Sequence, residues 1–77
     1  MSNVKVPKRA NNSRVDRALQ KVAQDGQWHR ILEMGFTSAE QTARAYNVPG
    51  GQWEFGYTHE PKGGSGDIIS VLWARWI

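Results

Sequence analysis

The sequence contains no cysteine. Without a thiol there is no disulfide framework, no thiolate zinc site, no iron–sulfur cluster and no cysteine nucleophile. No apolar run approaches the ~18 residues that a membrane-spanning helix needs, and no signal-peptide core follows Met1. The two histidines, His29 and His59, form neither an H-x-x-x-H nor an H-E-x-x-H pair. No convergent acid–base or metal-ligating set is visible. The expectation is a non-enzymatic protein with no cofactor and no metal.

The 77 residues are 39% apolar and 22% charged, which fits a globular chain. A chain this short forms one domain, and it buries only roughly 60% of its unfolded surface. The absences above place it in the cytoplasm and away from membranes.

Positive charge concentrates early. Residues 1–30 hold seven Lys/Arg against two Asp/Glu, a net of +5; residues 31–77 hold three against five, a net of −2. A basic end on a faintly acidic body suits contact with a polyanion, because Lys and Arg displace counterions from phosphates. The same layout also serves solubility alone.

Residues 1–13 have no hydrophobic period and read as a flexible basic arm carrying Lys5, Lys8 and Arg9. Residues 14–77 read as a single α+β domain. Val15, Ala18, Leu19, Val22 and Ala23 repeat with helical period, so a helix is expected over 14–25, capped by Ser13 and stopped by Gly26. Its outer side carries Arg14, Arg17 and Lys21 in one basic line. A strand follows over 27–34, imperfect in its alternation, with a bend or bulge allowed at Gly35. A short helix spans 38–47, with Thr37 or Ser38 as cap and Asn47-Val48-Pro49-Gly50 as stop. Trp53, Phe55 and Tyr57 alternate along a strand over 52–59. Residues 60–66, rich in glycine, read as a hairpin loop. Lys62-Gly63-Gly64-Ser65-Gly66 lacks the spacing of a phosphate-binding loop. Residues 67–77 are apolar at both parities, the mark of a central strand.

The predicted order is α-β-α-β-β. With the last strand central, the sheet runs β1-β3-β2, packed by two helices, with the first two strands parallel to one another. Because a strand precedes Thr37–Tyr46, that helix is not part of a tri-helical DNA-reading motif.

Trp73 and Trp76 are three apart on one strand and therefore face opposite sides of the sheet. One of them belongs to whichever face the helices leave bare. Three arrangements account for it: a partner or second copy covering that face, an aromatic platform for bases, or the first helix packed there.

Several motifs resemble those of small proteins of actinobacteria and their phages. These are the Trp28-led strand, Phe36-Thr37-Ser38, Pro49-Gly50 before Trp53-Glu54-Phe55, and the closing Trp73-Ala74-Arg75-Trp76-Ile77. The resemblance covers about two-thirds of the chain. It implies a phage-like or actinobacterial cytoplasmic protein, acting in the host cytoplasm if phage-encoded, and supplies no activity or functional residue. Two functions follow from the residues themselves. The first is contact with DNA or RNA through Lys8, Arg9, Arg14, Arg17 and Lys21. The second is binding of a host protein, or self-association as a dimer, through a sheet edge and the aromatics around Trp73 or Trp76.

Overall fold

A computed structural model describes residues 13–64 and 66–77. The elements are α1 (Ser13–Leu19), β1 (His29–Met34), α2 (Ser38–Tyr46), β2 (Trp53–Lys62) and β3 (Asp67–Trp76). The three strands form one sheet in the order β1-β3-β2, with β3 antiparallel to both neighbours. The protein is α+β, with the predicted topology. Residues 1–12, most of the expected arm, lie outside the described residues.

Helix α1 is shorter than its apolar period suggests. It ends at Leu19 and tightens into two i→i+3 turns, Lys21 N–H to Ala18 O and Val22 N–H to Leu19 O, each 3.1 Å. Beyond them Asp25 turns its carboxylate back on the chain and accepts from Gln27 N–H at 3.0 Å. This local bond competes with helix continuation. Gly26, at φ 78, completes the turn towards β1. Val22 and Ala23 line an open cleft against His29–Ile31. Ser13 is itself helical rather than the cap.

The uneven alternation of β1 is a bulge, located between Arg30 and Leu32 rather than at Gly35. The extra residue lets adjacent Ile31 and Leu32 both pack against the core, and returns Glu33 to the side of Arg30. Strand β2 continues through Pro61 to Lys62, three residues beyond the expected end. Proline is tolerated there because β2 is an edge strand.

The core lies on one side of the sheet. Val15 from α1 and Ala39 and Ala43 from α2 join Phe55 of β2 and Leu72 and Ala74 of β3. Both helices therefore cover the same face, which removes the arrangement with α1 on the other. The outer edge of β2 is closed by a side chain. Asn47, just past α2, donates from Nδ2 to Phe55 O at 2.9 Å and accepts from Phe55 N–H at 2.7 Å. It acts as a one-residue surrogate strand and blunts the edge. Asn47→Ala is expected to cost about 1–3 kcal/mol, since both backbone groups lose a part-buried partner. Urea denaturation measures it; a loss below about 0.5 kcal/mol means water replaces the amide without penalty.

Candidate interaction surface

Residues paired across antiparallel strands share a face. Arg30↔Trp73, Glu33↔Val71, Gly56↔Trp73, Thr58↔Val71, Glu54↔Arg75 and Glu60↔Ile69 therefore lie together on the face without helices. That face is highly ordered by its own side chains.

At its centre Gly56 offers no side chain, and the Trp28 ring lies over it: a Cβ there would stand 3.4 Å from Trp28 Cη2. Trp73 sits beside Gly56, and its Nε1–H donates to Thr58 Oγ1 at 2.8 Å, which fixes the ring. Trp28, Gly56, Tyr57, Thr58 and Trp73 line an open groove of about 250 Å³. Trp28 stays 43% exposed despite its size. Of the four tryptophans Trp28 is the exposed one, while Trp53, Trp73 and Trp76 are half-buried.

Two arginines, each held by carboxylates, lie on the same face beside these rings. Arg75 bonds Glu54 while its guanidinium lies 5.1 Å from the centre of the Trp28 ring. Arg30 reaches from β1 to Glu60 on β2 at 2.9 Å, with Glu33 at 3.5 Å. Strand β3 runs between those two strands, so the Arg30–Glu60 bridge passes over it between Trp73 and Ile69. Val71, the residue beneath, is fully buried although no helix covers it.

The expected parity of the tryptophans is observed. Trp73 is on the groove side; Trp76 is on the helix side, edge-on to Trp53 with ring centroids 5.2 Å apart. The basic residues are less unified than the helical period implies. Arg14 lines a pocket with Glu33, Gly35, Lys62 and Ile69. Lys21 lies beyond the end of α1 and lines the cleft holding His29 and Arg30. Arg17 is exposed on α1 between them. Lys8 and Arg9 lie outside the described residues. Residues 13–77 carry seven Lys/Arg and seven Asp/Glu, so the formal +3 belongs entirely to residues 1–12.

Trp28, Gly56 and Thr58 are not among the interface residues expected from sequence, where Trp28 stands only at the head of a strand. Trp28 precedes β1, and only the register of β2 against β3 places Gly56 under it. The available signal was a glycine interrupting an aromatic strand, which often marks close approach by another group.

Neither histidine joins a reactive cluster. His29 Nε2 is 2.8 Å from Asp25 Oδ1, and this hydrogen bond, followed by that from Gln27 N–H, holds the Asp25 carboxyl below its ordinary pKa. His59 Nε2–H donates to Phe36 O at 3.2 Å and its ring stacks on Phe36. Among the described residues no three His, Cys, Asp or Glu gather as a metal set, and no helix is long and apolar enough to cross a membrane. No protein-family model matches the chain, and the comparisons with curated proteins and with solved structures find no match either.

Proposed function

We propose that the protein is a non-enzymatic binding module whose helix-free sheet face receives a segment of a protein partner. The observation that carries this reading is the Trp28–Gly56–Trp73 groove, which is exposed, aromatic and held rigid by Thr58 and Arg75. Rigid aromatic side chains supply contact area with little ordering entropy left to lose on binding. The rim also argues for a protein segment over bases. Both guanidinium groups beside the rings, Arg30 and Arg75, are already held by carboxylates. A base-stacking platform needs free cations for the phosphates.

A second reading has its own observation. The excess positive charge lies in residues 1–12, and Arg17 and Lys21 take part in none of the ion pairs found among the described residues. Contact with DNA or RNA would then run through Lys8, Arg9, Arg14, Arg17 and Lys21, with little sequence preference and a steep salt dependence.

Affinity capture from host lysate separates the two. The wild type, Trp73→Ala and Arg17→Ala/Lys21→Ala are compared with and without nuclease. The groove reading expects a nuclease-resistant partner, lost with Trp73→Ala and kept with the double variant. A partner released by nuclease, or retained by Trp73→Ala, overturns it.

A further inference from the structure

The two outer edges of the sheet differ. On β2, Asn47 takes up both peptide groups of Phe55, and Pro61 stands at an outward position without an N–H. The other edge belongs to β1, and the bonds on β2 fix which of its peptide groups face outward. Phe55 turns its N–H and C=O away from β3, so its partner Ala74 turns its own towards His29. Ile77 N–H to Gln52 O at 3.0 Å follows the same alternation. One residue on, Trp73 turns to Gly56, and Arg30 opposite it points its N–H and C=O outward. Val71 turns to Thr58, and Glu33 points outward likewise. Among the described residues no backbone hydrogen bond closes these outward groups.

The bulge keeps their spacing regular. Arg30 and Glu33 are three apart in sequence, but they oppose Trp73 and Val71, which are two apart. Their outward groups therefore stand about 7 Å from one another, the repeat of an ordinary strand. An extended segment laid along β1 meets both.

The charge beside this edge selects the segment. Helix α1 and the turns after it run alongside: Arg14 shares a pocket with Glu33 and Met34, and Lys21 shares a cleft with His29, Arg30 and Ile31. Arg17 is exposed between them. Arg30 is held by Glu60, but Arg17 and Lys21 take part in none of the ion pairs found among the described residues. The cleft has a volume of about 570 Å³, and Ala18, Val22, Ala23 and Ile31 give it apolar walls. Unpaired cations and an apolar cleft beside an open edge complement an extended segment with acidic and apolar side chains. The same cations oppose a second copy. Pairing β1 with its counterpart about a two-fold axis sets the two α1 helices on one side of the joined sheet, with Arg17 and Lys21 facing like charges.

We infer that the outer edge of β1 takes an extended acidic segment of a partner protein as a fourth strand. Main-chain bonds form at Arg30 and Glu33, an apolar side chain enters the cleft, and carboxylates face Arg17 and Lys21. This site is separate from the tryptophan groove, and neither depends on the other.

The probe is a pool of octapeptides with valine or glutamate at every position, set against a matched valine/lysine pool. Each is added to the full chain, and nitrogen-15 NMR follows water exchange of the backbone amides together with the four indole N–H signals. At a concentration about ten times its Kd, the valine/glutamate pool is expected to slow exchange of the Arg30 and Glu33 amides about tenfold. The valine/lysine pool leaves them unchanged. Arg17→Glu/Lys21→Glu reverses the preference between the pools, with the Trp53 and Trp76 indoles unmoved as the check on the fold. Amides that the acidic pool does not slow, or that both pools slow equally, overturn the inference, as does a double variant that responds like wild type. Shifts confined to the Trp28 and Trp73 indoles also overturn it and leave the groove reading standing. An oligothymidylate that protects these amides when the peptides do not assigns the cations to a polyanion. Protection that rises with protein concentration alone assigns the edge to a second copy. Either result overturns the inference.

Discussion

Leu72→Ala is expected to destabilise the protein by about 2–5 kcal/mol, the range for truncating a fully buried leucine. Leu72 heads the fully buried side chains by volume, and it sits on the central strand where both neighbours and both helices converge. The rest of the core is thin. Ala39, Ala43 and Ala74 leave little to collapse into the vacated space; among the described residues Val15 and Phe55 are the other sizeable buried members, with half-buried side chains such as Ile31 and Trp53 packed around them. A small domain has only about 5 kcal/mol in hand, so the variant is expected to populate the unfolded state at 25 °C. Leu72→Met conserves volume and is expected to lose less than about 1.5 kcal/mol. Urea midpoints measure both. An alanine variant within about 1 kcal/mol of wild type means the core is not organised around this residue.

The sheet order was readable because β3 announces itself: apolar residues at both parities leave it no position but the centre. The split of Trp73 from Trp76 follows from the same two-residue period. Three features were unreadable for tertiary reasons. The apolar stripe of α1 continues past Leu19, but Val22 and Ala23 do not join the core cluster, and the chain leaves the helix through two i→i+3 turns before Asp25 bonds Gln27 N–H. Consecutive Ile31 and Leu32 break the alternation, and only the pairing to β3 shows that a bulge absorbs the extra residue. Pro61 looks like a loop residue until β2 is known to be an edge.

The candidate site divides the same way. Parity exposes Trp73, but Trp28 joins it only through the bare backbone of Gly56 and the guanidinium of Arg75. The basic line Arg14-Arg17-Lys21 presumes a helix that runs to residue 25; with α1 ending at Leu19, Arg14 and Lys21 line different pockets. The charge asymmetry also sharpens. Dividing the chain at Ser13 instead of residue 30 leaves residues 13–77 formally neutral. The proposed contact with a polyanion would therefore draw its salt dependence from residues 1–12 more than from the helix.

Ser70→Ala is expected to cost about 1–3 kcal/mol, a large effect for the loss of one oxygen atom. Ser70 is fully buried within β3, flanked along the strand by Ile69 and Val71. Its hydroxyl donates to Gly35 O at 2.5 Å and accepts from Ala39 N–H at 3.2 Å. The second bond performs the task that Thr37 leaves undone, because Thr37 makes no side-chain cap bond to α2. One hydroxyl thereby ties the end of β1, the first turn of α2 and the central strand together. Gly35 O retains Ser38 N–H at 2.9 Å in the variant, so the group left without a partner is the Ala39 amide. An unsatisfied buried donor carries the desolvation penalty in full. Amide hydrogen exchange therefore has a specific signature: protection at Ala39 falls by more than the global loss of stability explains, while β2–β3 amides follow the global value. A variant in which Ala39 exchanges in step with those strand amides would show that water or a shifted α2 takes over the cap.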